Sequence, residues 1–154
     1  MEASKNPDRL NYSTKAKQLL DKIEDSNYFG LANKGGSGVS RSEIFLFAMA
    51  LGVETNTPTE IKNIYAGGLV LDKSIDSKTR SVMYAQFISK LKDPENELDE
   101  IIKKNEVYKL AEQYANTGFQ YLEEYFDTKK PELLALNLFL ELDEQYESLN
   151  INIK

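Results

Sequence analysis

The sequence predicts a mainly α-helical, single-domain protein, built as a bundle of about five to six helices. The prediction rests on apolar residues that recur at helical spacing and on capping residues that precede those stretches. The composition agrees, because 154 residues with 41% hydrophobic content, including 7 Phe and 9 Tyr, can fill one core. We therefore expect residues 1–154 to form one domain, with residues 1–9 and 150–154 as frayed ends.

Capping residues mark the first two predicted helices. Residues 13–25, STKAKQLLDKIED, place apolar side chains on one face, and Ser13 is suited to the N-cap. Residues 40–43, Ser-Arg-Ser-Glu, form a capping box ahead of the apolar segment IFLFAMAL. We expect this helix to stop at Gly52, the left-handed residue after its last turn. Because the helix is apolar on nearly all sides, it is predicted to lie at the centre of the core.

The second half of the chain predicts further helices. Asp76 is a suitable N-cap for a helix over residues 77–92, and Pro131 is suited to the first turn of the last helix. Residues 95–126 form either one long helix or two. The expected bend lies at residues 116–118, Asn-Thr-Gly, because glycine weakens a helix interior.

Two intervening stretches are not predicted as ordinary helices. Residues 53–68 resemble a loop, with Thr-Pro and Gly-Gly pairs as turn signals. The segment near 69–75 has β-like composition, but no other segment offers a partner strand of comparable quality. Since an isolated strand is not stable, we expect an extended segment or a minor hairpin there.

Two residue types are absent, and their absence excludes several classes of catalytic and metal site. Without cysteine, disulfides, thiolate nucleophiles and cysteine-based zinc sites cannot form. Without histidine, Ser-His-Asp triads and HExxH metal sites are excluded as well. The acidic residues do not follow the DxDxDG calcium-loop pattern. We therefore predict no cofactor, no metal site and no catalytic residues, and hence a protein that is not an enzyme.

The apolar runs of the chain are short. The first fifteen residues have no apolar region of the signal-peptide kind, and no run reaches the length that spans a bilayer. The prediction is a cytoplasmic protein without a membrane partner.

Charge is unevenly distributed along the chain, whose net charge is −6. Lys and Arg exceed Asp and Glu by four in residues 61–92, whereas residues 93–154 carry a net charge of −9. The middle of the chain is therefore the only segment in which a basic patch could contact nucleic-acid phosphates. The alternative is a set of solvated helix ends, the default state of surface Lys and Arg. The candidate phosphate contacts are Arg41, Lys73, Lys78 and Arg80.

A glycine-rich segment before the capped helix is a candidate anion-binding loop. Glycines let backbone N–H groups approach a phosphate, and the N-terminus of a helix favours negative charge. The segment lacks the lysine that a Walker A motif places at the helix start, and the alternative is a flexible loop before a capped helix. The candidate loop residues are Lys34, Gly35, Gly36, Ser37, Gly38 and Ser40.

The capped helix also carries a resemblance. Its pattern R..IFLFAMALG consists of Arg41, Ile44, Phe45, Phe47, Ala48, Ala50, Leu51 and Gly52. The pattern resembles small uncharacterised prokaryotic proteins encoded beside DNA phosphorothioation (Dnd-type) and other phage-defence systems. The resemblance covers this helix and the general layout before it. It implies a setting in defence against foreign DNA and brings no catalytic residues.

Two functional hypotheses follow from these observations. The first is a non-catalytic accessory or adaptor protein of a DNA-modification or defence system, whose partner is another protein or a second copy of the chain. The alternative is a nucleic-acid-binding or regulatory protein that uses the basic segment 61–92.

Overall fold

Four α-helices pack together and a small sheet lies beside them. The computed structural model describes residues 6–26, 39–93 and 103–128, together with Leu140 and Glu144, which are both helical. The described helices are α1 (Thr14–Ser26), α2 (Arg41–Glu54), α3 (Ser77–Ile88) and α4 (Lys104–Thr128). The mainly helical prediction is confirmed. The expected frayed end 150–154, and most of the helix predicted from Pro131, lie outside the described residues.

Side-chain caps begin three of these helices at the predicted places. The Ser13 hydroxyl accepts a hydrogen bond at 3.1 Å from the amide three residues later. Ser40 and Glu43 form both halves of a capping box, with the Ser40 amide donating to the Glu43 carboxylate at 2.7 Å. Asp76 accepts from the Thr79 amide at 2.7 Å. Each bond satisfies a backbone donor that the first helical turn leaves open.

The predicted end of α2 at Gly52 is wrong. The helix continues to Glu54, and Gly52 lies inside it, against α4. A Cβ atom built on Gly52 would stand 1.9 Å from the Tyr114 carbonyl oxygen, where no side-chain atom can be placed. Gly52 therefore lets two helix backbones approach each other, and does not end a helix.

The bend expected at Asn116–Gly118, if residues 95–126 formed two helices, does not occur. Helix α4 runs unbroken from Lys104 to Thr128. A Cβ atom on Gly118 would lie 1.8 Å from the Ala48 carbonyl oxygen of α2. The two glycines thus face the partner helix at the α2–α4 crossing. The close packing they allow offsets the low helix propensity of glycine.

The small sheet pairs segments that are distant in the sequence. Strand β1 (Arg9–Leu10) runs antiparallel to β2 (Val70–Leu71), with Arg9 opposite Leu71. The extended segment expected near 69–75 is confirmed as β2, and its partner is not a neighbouring hairpin strand but the N-terminal strand β1. The frayed end expected up to residue 9 does not extend to Arg9, which is held in this pair. A 3-10 turn (Asp72–Ser74) follows β2 and leads towards α3.

One cluster of buried side chains joins the four helices and the sheet, and α4 packs against each of the other three helices. Helix α2 is buried mainly on one face, because Phe47 remains 36% exposed. Helix α3 ends at Ile88 and not at residue 92, and its fully buried apolar side chain is Met83. None of the described helices is both long and apolar enough to span a membrane.

A segment without regular secondary structure, residues 57–65, crosses from α4 to α1, and we call it the strap. The Thr59 amide donates to the Gln113 carbonyl oxygen of α4 at 3.1 Å. At its other end, the Asn63 carbonyl oxygen accepts from the Thr14 amide at 2.9 Å. The strap lies inside the predicted loop 53–68, and it is anchored to helices at both ends.

Candidate functional site

The candidate anion-binding loop can be assessed only at its last residue. Residues 34–38 lie outside the described part of the chain. Ser40 is described, and both its hydroxyl and its amide are engaged with Glu43. The backbone hydrogen bond from Ser40 lowers the pKa of Glu43, so a carboxylate already occupies the N-terminus of α2. This negative charge disfavours a second anion at the same place.

Arg80, one of the four predicted phosphate contacts, is committed to an internal cluster. Its Nη1 donates to Asp72 Oδ1 at 3.0 Å and to the Tyr108 hydroxyl at 2.9 Å, and its Nη2 donates to the Asp72 carbonyl oxygen at 3.0 Å. Lys104 adds an ion pair with Asp72 Oδ2 at 2.7 Å. Arg80 therefore joins the 3-10 turn, α3 and α4, and both of its terminal nitrogens donate hydrogen bonds within the protein.

The same cluster shifts the titration of its members. The hydrogen bonds from Lys104 and then from Tyr108 hold the pKa of Asp72 well below its usual range. Burial, followed by the hydrogen bond to Asp72, raises the pKa of Tyr108. The carboxylate thus stays charged and the phenol stays neutral, which is the pair of states that the hydrogen bonds require.

The other three predicted basic residues are exposed at the surface. Arg41 lies 3.6 Å from the Glu24 carboxylate of α1. Lys78 is exposed, and its charge is close enough to Glu43 to lower that residue's pKa. Lys73 is exposed at the 3-10 turn. Since Arg41, Lys78 and Arg80 each have a carboxylate nearby, the arrangement gives the nucleic-acid hypothesis little support.

An apolar hollow opens beside α2 and was not anticipated from the sequence. It has a volume of about 210 Å³ and is lined by Ile23, Val39, Glu43, Ile44, Phe47 and Leu122. Five of these six side chains are apolar, and Phe47 at 36% exposure is among the most exposed apolar side chains described. The sequence analysis placed Phe47 in the core, because an all-apolar helix gives no indication of which side remains open.

Glu112 is a second feature that the sequence analysis missed. Its Oε1 accepts hydrogen bonds from the Asn11 amide at 2.7 Å and from Asn11 Nδ2 at 3.0 Å. Burial raises the pKa of Glu112 to about 7, and the bonds from Asn11 offset only part of that effect. The sequence does indicate that Glu112 is unusual. Glu112 follows Tyr108 by four residues, so it lies on the apolar face of α4 and interrupts it.

Within residues 6–26, 39–93 and 103–128, no group of three or more carboxylates could hold a metal ion. Among the tyrosines of α4, Tyr108, Tyr114 and Tyr125 are at most 3% exposed and pack in the core, whereas Tyr121 is 37% exposed. The strongest candidate for a working surface is the apolar hollow. No family model, no curated protein and no solved structure matches this chain.

Proposed function

We propose that this protein is a non-catalytic adaptor that binds another protein through the apolar hollow beside α2. The observation that carries the proposal is the combination of a hollow of about 210 Å³ with the partly exposed ring of Phe47 at its edge. Binding an apolar side chain would remove this surface from water, which is the main favourable contribution to association. Binding hot spots also commonly contain aromatic side chains beside a pocket.

The charge around the hollow indicates the chemistry of the partner. Glu43 is the charged residue that lines it, and its lowered pKa keeps the carboxylate ionised. The whole chain has a net charge of −6. A complementary partner therefore presents a Leu, Ile or Phe side chain that enters the hollow, flanked by Lys or Arg that face Glu43.

The cellular setting is part of the same proposal and rests on the resemblance of the R..IFLFAMALG helix. In that setting the partner is a component of a DNA-modification or phage-defence system, and the adaptor contributes contacts and no chemistry. Phe47, the side chain proposed to bind the partner, belongs to this helix pattern.

Selection of peptides from a displayed random library, followed by affinity measurement, tests the proposal without knowledge of the natural partner. We expect enriched peptides to combine an apolar anchor with Lys or Arg. Phe47→Lys should weaken their binding by about 30-fold or more, as loss of a hot-spot residue does. Val82→Lys is the matched control, since Val82 is 38% exposed and lies on α3, outside the hollow.

Two results would contradict the adaptor proposal. One is enrichment of peptides that bind the Phe47→Lys and Val82→Lys variants equally well. The other is a library that yields no peptide with affinity for the folded chain. Circular dichroism of both variants checks that the fold is retained, and because both positions are partly exposed, little destabilisation is expected.

A further inference from the structure

A second cavity lies between α1, the strap and α4, and we call it the cleft. It has a volume of about 350 Å³, within the range of small-molecule sites. Its floor consists of Ala16 and Leu19 from α1 with Asn116 and Phe119 from α4, each no more than 4% exposed. Three of the four floor residues are apolar, and Asn116 is the polar one.

The outer wall of the cleft is held in place by hydrogen bonds. Asn116 Nδ2 donates to the carbonyl oxygens of Thr59 and Glu60, both at 3.3 Å. Asn63 has a left-handed backbone with φ of 57°, which non-glycine residues seldom adopt, and its carbonyl oxygen accepts from both the amide and the hydroxyl of Thr14. A ligand would therefore meet a wall that is already ordered, which reduces the entropy cost of binding.

One hydrogen-bonding atom on the floor has no partner among the described residues. The Asn116 side chain is 4% exposed and uses Nδ2 for the strap, whereas no described residue donates to its Oδ1. The floor of the cleft thus offers one acceptor, surrounded by apolar side chains, to a donor that comes from outside the chain.

The charges at the rim of the cleft balance. Lys15 and Lys62 contribute two positive charges, and Glu60 and Glu123 contribute two negative charges. A strongly anionic or cationic ligand would gain from one pair and lose to the other. The rim therefore favours a ligand without net charge.

From the floor, the free acceptor and the balanced rim, we infer that the cleft binds a small uncharged molecule with an apolar, planar body and a hydrogen-bond donor directed at Asn116. Phe119 and Leu19 contact the body, and Asn116 Oδ1 accepts from the donor. This site does not depend on the adaptor proposal, because no residue lines both the cleft and the apolar hollow.

Two matched probes, indole and benzofuran, test the inference by NMR titration of the isotope-labelled full chain. They have the same shape, but a ring oxygen in benzofuran replaces the N–H donor of indole. We expect indole to shift the resonances of Ala16, Asn116 and Phe119 at millimolar concentration or below. Benzofuran should bind about five-fold more weakly, the effect of one lost hydrogen bond. Tryptamine and indole-3-carboxylate, which carry a charge, should also bind more weakly than indole.

Ala16→Leu provides an independent variant, because a larger side chain on the floor would fill the cleft. We expect it to abolish the indole-induced shifts, while Gln86→Ala, at a partly exposed position on α3 outside the cleft, leaves them unchanged. If Ala16→Leu fails to fold, the wild-type titration still decides the question. Equal affinity for indole and benzofuran, tighter binding of either charged probe, or shifts that map outside the cleft would overturn the inference, as would no binding of any probe.

Discussion

Helix α4 contacts its neighbours in two different ways. Against α2 it presents Gly118, and the backbones approach so closely that a Cβ atom would lie 1.8 Å from the Ala48 carbonyl oxygen. Against the 3-10 turn and the N-terminal segment it presents charged and polar groups, namely Lys104, Tyr108 and Glu112. The contact with α2 requires that no side-chain atom lies between the two backbones. The polar contacts require particular protonation states of the carboxylates in them. The two should therefore respond to different perturbations.

The difference shows how one helix can be both a rigid and a condition-dependent part of a fold. Steric contacts between backbones are insensitive to pH and salt, because they involve no titratable group. The polar contacts change with pH and ionic strength, because each includes a carboxylate whose pKa the fold shifts. Three substitutions separate the steric contacts from the polar ones, and their expected effects on stability decrease in the order Gly118→Ala, Glu112→Gln and Asp72→Asn.

Gly118→Ala should have the largest effect. The new methyl group would overlap the Ala48 carbonyl, so α2 and α4 must move apart, and we expect a loss of about 3 kcal/mol or more in the free energy of unfolding. Urea denaturation measures the loss, which should not vary with pH or salt. Gly67→Ala is the control, since its Cβ would meet only the ring of Tyr65, which can move. A loss no greater than that of the control would contradict the proposed close contact.

Glu112→Gln should stabilise the protein in a pH-dependent way. The folded Glu112 keeps its proton up to about pH 7, whereas the unfolded residue releases it near its ordinary pKa of 4.5. Between these values the folded state binds more protons, so the stability of the wild type falls as pH rises and the cost persists above pH 7. Glutamine carries no charge and can still accept from Asn11. At about pH 8 we expect a gain of about 2 kcal/mol.

Urea denaturation at several pH values measures this effect. The gain should disappear as the pH falls towards 4.5, where Glu112 is protonated in both states. Glu106→Gln serves as the control, because Glu106 lies exposed in the first turn of the same helix. If the two variants show the same pH dependence, the burial of the Glu112 carboxylate has no thermodynamic consequence.

Asp72→Asn should have the smallest effect. It removes the ion pairs with Lys104 and Arg80, but the asparagine side chain can still accept from Tyr108, and solvent screens this partly exposed cluster. We expect a loss of about 1 kcal/mol at low ionic strength, and a smaller loss at about 1 M salt, where charges are screened within a few ångströms. Asp8→Asn, at a more exposed ion pair with Arg9, should lose less. An effect that does not change with salt would show that charge is not what Asp72 contributes.

The starts of three helices could be predicted from the local sequence. Ser13, Ser40 and Asp76 begin helices because each cap needs only the backbone amides two or three residues later. The same local reasoning interpreted Gly52 as a helix end, which is wrong, and Gly118 as the place of a bend in the two-helix alternative, where no bend occurs. Their neighbours in space belong to another helix, which helical periodicity does not reveal.

At the candidate sites too, local sequence does not reveal contacts between residues that are distant along the chain. Lys78 and Arg80 are separated by one residue, yet one is exposed and the other joins Asp72 and Tyr108. Charge alone could not distinguish them, because the partners lie 8 and 28 residues away. The apolar hollow and the cleft each combine residues from at least two helices, so no single stretch of sequence indicates either cavity.

The sequence by itself determined the helical class, the starts of α1, α2 and α3, and the lack of imidazole and thiol chemistry. These properties follow from residue type and from spacing within one or two turns. Only the tertiary structure decided that the glycines of α2 and α4 meet, that β2 pairs with the N-terminus, and that Phe47 remains partly exposed. Each of those outcomes depends on which surfaces, distant from one another in the sequence, become buried against each other when the helices pack.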